Sequence, residues 1–116
     1  MLSRIEIPRR EWSQQLGALS KRYEGWLVSL NVETPPNPLL PEFRQLPLVG
    51  ITAEARKDGT ISIAVAEATG DQVTHTIHAP THVFLERTGS GESAAIEVDS
   101  ADGARAVLQL RTGKGK

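Results

Sequence analysis

The chain is 116 residues long, enough for one domain with a single apolar core. Aromatic residues are only 4%, so that core has to be built mainly from Val, Ile, Leu and Ala. The absence of cysteine excludes disulfide frameworks, thiolate metal sites and thiol catalysis, and the formal charge of −1 lacks the basic footprint of a nucleic-acid binder.

The opening stretch "MLSRIEIPRREW" carries no apolar secretion segment, and no later window approaches a membrane span. With the missing cysteines, this predicts a cytoplasmic chain without membrane contact. A helix is expected over residues 8–24. There Trp12, Leu16, Leu19 and Tyr23 recur at steps of four, three and four, which makes one apolar stripe. Pro8 suits the first turn, Lys21 and Arg22 the last, and Gly25 the stop. Gly17 costs about 1 kcal/mol relative to Ala, so packing must hold this helix.

After Gly25 the period changes to two. In "WLVSLNVE", Trp26, Val28, Leu30 and Val32 share one face and Ser29, Asn31 and Glu33 the other, as in a half-buried antiparallel strand. Six more strands are expected at about 48–57, 60–67, 72–79, 82–88, 93–99 and 104–111. Residues 34–47, "TPPNPLLPEFRQLP", hold five of the seven prolines and read as a proline-rich loop. Leu39, Leu40 and Phe43 within it are candidate contact residues for a second copy or another protein, because proline pre-orders the backbone that presents them. The competing expectation is a lid folded back on the chain's own core. The tail, residues 112–116, is expected to fray.

Two hairpins can be read for register. A three-residue loop Lys57-Asp58-Gly59 sets Ile51, Ala53 and Ala55 against Val65, Ile63 and Ile61. A loop Ala101-Asp102-Gly103 sets Ala94, Ile96 and Val98 against Leu110, Leu108 and Ala106, and places Asp99 opposite Arg105 as an exposed ion pair.

"HTIHAPTH" holds all three histidines, His75, His78 and His82. On a helix they would share a face suited to a metal. The β-branched surroundings and Pro80 instead predict a strand, on which His75 lies with Val73 and Ile77 while His78 points the other way. No metal site is therefore expected. His75 is expected inside, opposite Val65, with Glu67 and Asp71 the nearest carboxylates in sequence. No phosphate-cradling glycine loop, Gly-x-Ser-x-Gly elbow or His-Glu-x-x-His motif is present, so no catalytic residue and no cofactor is assigned.

Together "IPRREW", "YEGWLVSLNVE", "LPLVGITAE", "GTISIAV" and "THTIHAPTHVFLE" resemble, in that order, a family of small bacterial proteins forming a domain of unknown function. The resemblance spans most of the chain outside the proline-rich segment and the tail. It implies a basic residue other than histidine at the position of His82, a further point against a three-histidine site. It also implies a bacterial cytoplasmic protein, and nothing chemical.

The expected fold is mainly β with one N-terminal helix (α+β), a single domain over residues 1–116. A bent antiparallel sheet or small β-barrel of six or seven strands is packed by the helix. The expected function is a non-enzymatic binding or interaction module whose partner is a second copy of the chain or another protein; the alternative is a small-ligand-binding or hydrolytic site lined by His75 and His78.

Overall fold

The computed structural model describes residues 3–54, 59–89 and 93–114. Eight antiparallel strands form one bent sheet: β1 (Ser3–Ile7), β2 (Trp26–Glu33), β3 (Leu40–Ala53), β4 (Ile61–Ala66), β5 (Gln72–Ile77), β6 (Pro80–Arg87), β7 (Ser93–Ser100) and β8 (Arg105–Lys114). Their order is β1-β6-β7-β8-β2-β3-β4-β5. β1 and β5 end the row and do not pair with each other, so the sheet curls without closing into a barrel.

One strand exceeds the expected count. In β1, Ile5 and Ile7 alternate with Arg4 and Glu6, a period of two that is short but present. Pro8 ends the strand, and the Pro8 carbonyl accepts the Glu11 N–H at 2.8 Å in a 3-10 turn, Arg9–Glu11. The helix α1 (Trp12–Arg22) follows. Its stripe is buried as expected: Trp12, Leu16, Leu19 and, at the C-cap, Tyr23 are all at most 9% exposed. Each such burial is worth about 1.5–3 kcal/mol, which more than offsets Gly17. The indole of Trp12 donates to the Ile7 carbonyl at 2.8 Å, so no polar atom is lost with it. Gly25 stops the helix with φ +85°, and its N–H donates to Leu48 O at 2.9 Å. The Ser20 hydroxyl accepts the Ile51 N–H at 2.9 Å, which fixes α1 against β3.

The proline-rich segment is a strand from Leu40 onward, not a loop. Residues 40–47 pair with β2 alone (Leu40 opposite Val32, Phe43 opposite Leu30), whereas residues 48–53 pair with β4. Over its first half β3 therefore has a ladder on one side only. Pro41 and Pro47 can sit there without breaking a second ladder. Register shifts punctuate this half, and Gln45 takes φ +51° while donating its N–H to Ser29 Oγ at 2.9 Å. Ser29, expected on a solvated face, is buried in making that bond. The tail is corrected as well: β8 continues to Lys114, with Gly113 opposite Leu27 and Lys114 opposite Trp26.

The β7–β8 register is as expected, with Ile96 opposite Leu108 and Asp99 opposite Arg105. Gly103 has φ +90°, and its N–H bonds to Ser100 O at 3.0 Å in the three-residue loop. The β3–β4 register differs. Ile51 faces Ile63, and Ala53 faces Ile61, two residues from the expected pairing. Glu54 closes a longer connection, donating its N–H to Thr60 O at 3.0 Å and accepting the Thr60 N–H on Oε1 at 3.0 Å. The expected loop residues Lys57 and Asp58, and Ala55, lie outside the described residues. The tight three-residue device recurs instead between β4 and β5. There Gly70 has φ +92°, Glu67 and Asp71 bond across at 2.8 Å, and His75 consequently faces Ile63 rather than Val65.

The core lies inside the curl. Leu30, Ile51, Ile61, Ile63, Ile96, Val98 and Leu108 meet Leu16 of α1 there, each at most 3% exposed.

Candidate functional site

The curl is open at one end, where β5, the first half of β3 and the β7–β8 turn approach one another. β5 stops at Ile77. Ala79, with φ +51°, reverses the chain into Pro80, and its carbonyl accepts the Ala101 N–H at 2.9 Å. That bond seats the β5–β6 turn against the β7–β8 turn. Because His78 lies past the end of the strand, alternation no longer holds it on the far face. His75 and His78 line the same cleft, of about 160 Å³, together with Val32, Ser100, Asp102 and Arg105.

His75 is a quarter exposed, and its Nδ1 lies 3.7 Å from Glu42 Oε2 on β3, longer than a hydrogen bond. The expected carboxylates, Glu67 and Asp71, close the turn at the other end of β5. Glu42 was hidden because its segment reads as a loop. His82 is held on β6 with Glu6 of β1, Nδ1 to Oε2 at 2.8 Å, and stacks on Phe84. Among the described residues no cluster of three or more His, Cys, Asp or Glu side chains could hold a metal ion.

The candidate contact residues come to the same end of the sheet. Leu40 stands opposite Val32, which lines the cleft, and Phe43 opposite Leu30. Leu39 and Leu40 are 43% and 55% exposed, whereas Phe43 is half-buried against the core. Leu40 therefore comes beside the cleft that His75 and His78 line, although none of Leu39, Leu40 and Phe43 is itself part of the lining.

A second hollow of about 390 Å³ shares Ser100, Ala104 and Arg105 with the cleft and adds Glu33, His82 and Asp99. The two form one groove around the β7–β8 turn, with Arg105 between them. Arg105 is opposite Asp99 in the ladder but pairs elsewhere, with Glu33 at 3.1 Å and Glu97 at 3.8 Å. The expected Asp99–Arg105 ion pair is therefore absent, although its register is right. Glu97 draws Arg105 because it is a buried carboxylate, 5% exposed, and burial without a cation is costly. Its other partner is Arg4 at 2.7 Å, whose guanidinium also covers Phe84.

A larger hollow, about 680 Å³, lies elsewhere, between α1 and β6. Its walls are the solvated helix stripe of Glu11, Gln15, Ala18 and Arg22 over a floor of Leu19 and Leu85, and it contains none of the candidate binding or contact residues read from the sequence.

Chemically, the opening combines a small cleft whose lining is more apolar than polar with exposed leucines beside it. No described helix is long and apolar enough to cross a membrane. Neither a curated protein nor a solved structure matches the chain. A family model does match, over residues 3–115, which takes in both the curled sheet and the rim of its open end. The chain belongs to that family, described as a family of unknown function (DUF5335).

Proposed function

We propose that the chain is a non-enzymatic interaction module that docks a protein partner on the open end of the curl, with Leu39, Leu40 and Phe43 as its contact residues. The observation that carries this reading is the exposure of Leu39 and Leu40, 43% and 55%, at the start of a strand half that has a ladder on one side only. Large apolar side chains held out by an ordered backbone lose little entropy on docking. The cleft beside them, about 160 Å³, is smaller than the roughly 300–1,000 Å³ of small-molecule sites, yet it can accept one side chain of a partner. The module acts by contact and needs no cofactor. A reducing bacterial cytoplasm suits its lack of cysteine.

A second reading keeps one specific support. His75 and His78 line the same cleft, as a small-ligand or hydrolytic site would require. Photo-crosslinking separates the two. A benzophenone side chain at position 40, in cells of the source organism, is expected to give a discrete protein adduct that Leu39→Ser removes. A control at exposed Lys21 is expected to give none. Equal labelling from both positions would refute the contact surface, and a small-molecule adduct at position 40 would favour the histidine cleft.

A further inference from the structure

The two ends of the sheet are not equivalent. β5 runs into the β7–β8 turn at its Ile77 end, and its His75 reaches Glu42 of β3. Among the described residues β1 has no such cover: it is hydrogen-bonded there to β6 alone, and Ser3, Arg4, Ile5 and Glu6 are all exposed. Ile5 stands opposite Leu85 and so shares its inward face, but Leu85 is 3% exposed and Ile5 48%. A broad hollow separates α1 from Leu85 and Arg87 of the neighbouring β6. β1 carries two of the usual safeguards of an edge, its shortness and the charges of Arg4 and Glu6, but no proline or glycine interrupts "SRIEI".

The order of residues on this edge is self-complementary. A two-fold axis through Ile5, normal to the sheet, pairs β1 antiparallel with β1 of a second copy. Faces are preserved under that operation. Ile5 then meets Ile5, and Arg4 meets Glu6 of the second copy on the outer face, twice over. No other register of this five-residue strand pairs both charges with their opposites while keeping Ile5 against an apolar residue. Arg4 already reaches Glu97 and covers Phe84, and Glu6 reaches His82, so both charged heads are ordered on the outer face before a partner arrives.

We infer that β1 is a self-association edge, through which two copies join their sheets about a two-fold axis at Ile5. The open ends proposed as docking surfaces are left free, so the pair carries two of them. Five residue pairs bury less than the roughly 800 Å² per partner of a standard interface, so the association is weak and concentration-dependent.

Sedimentation of the full chain from roughly 10 µM to 1 mM tests this. The wild type is expected to move from monomer to dimer mass across that range. Ile5→Lys sets two lysines on the axis, and Glu6→Arg sets arginine against arginine at both outer positions. Each is expected to weaken association by about ten-fold or more, with unchanged circular dichroism and melting temperature. Val73→Lys on the opposite edge and Leu39→Ser/Leu40→Ser on the proposed docking rim are expected to leave the dimer intact, which separates this inference from the docking surface. A wild type that stays monomeric throughout would overturn it. So would a dimer that survives both Ile5→Lys and Glu6→Arg, or one dissolved by Val73→Lys.

Discussion

The two halves of β3 share one backbone and have opposite fates. Residues 48–53 pair with β4 and lie under α1; Leu48 and Ile51 are 1% and 2% exposed, and Ser20 bonds the Ile51 amide. Residues 40–47 pair with β2 only, contain Pro41 and Pro47, and hold Leu40 55% exposed with Phe43 half-buried. The hinge between the fates is the irregular stretch around Gln45, where a positive φ and the Ser29 bond re-aim the chain. A strand can thus be core at one end and presentation surface at the other when a neighbouring ladder is withdrawn along its length.

Substitutions that grade along β3 put numbers on this contrast. The largest effect is expected in the second half. Ile51→Ala leaves a cavity beside Ile63 and Leu16, and should cost about 2–5 kcal/mol in urea unfolding. A loss below 1 kcal/mol would mean that the second half is not core. Phe43→Ala is expected to be intermediate, about 1–3 kcal/mol, because only part of the ring packs inward. Ser29→Ala removes the acceptor of the Gln45 amide, and should cost about 1 kcal/mol by unfolding. Gln45→Gly relieves a left-handed residue at the same point and is expected to be neutral or stabilising by a few tenths of a kcal/mol. A clear destabilisation by Gln45→Gly would show that the side chain, and not the turn of the backbone, holds the hinge.

How much of this can be read from residues alone depends on which physical constraint is local. The buried stripe of α1 and the faces of the strands follow from periodicity, and both are found. The β7–β8 register follows because Ala101-Asp102-Gly103 is a complete turn, with Gly103 left-handed and Asp102 Oδ1 accepting the Ala104 amide at 3.0 Å. Ala68-Thr69-Gly70 is the same device, but it lacks the Asp-Gly pair that makes residues 58–59 look like a hairpin turn. Both misassigned registers, β3–β4 and β4–β5, are displaced by two residues. An even slip keeps every side chain on its face, so hydrophobic patterning decides parity and leaves the register to the turn.

Other elements were hidden for different reasons. β1 is only five residues long, and its alternation sits among charges. The first half of β3 was masked by proline, whose veto on strands applies to two-sided ladders and not to one-sided ones. With that half read as a loop, neither Glu42 beside His75 nor the meeting of Leu40 with the histidine cleft could be anticipated. The outward choice of Arg105 between Asp99 and Glu97 was equally out of reach, because the burial of Glu97 depends on neighbours from β1 and β6.

The central claim is that Leu40 at the start of β3, with Leu39 just before it, is held out toward a partner while Phe43 and Leu46 pack inward on the core. The unfolding free energy of Leu39→Ser/Leu40→Ser, measured in urea against the wild type, tests it most directly. A presented surface predicts a change within about 0.5 kcal/mol, since neither side chain supports the fold. A loss of about 2 kcal/mol or more, with a melting temperature lower by several degrees, would show that the leucines close a lid over the core and would contradict the account.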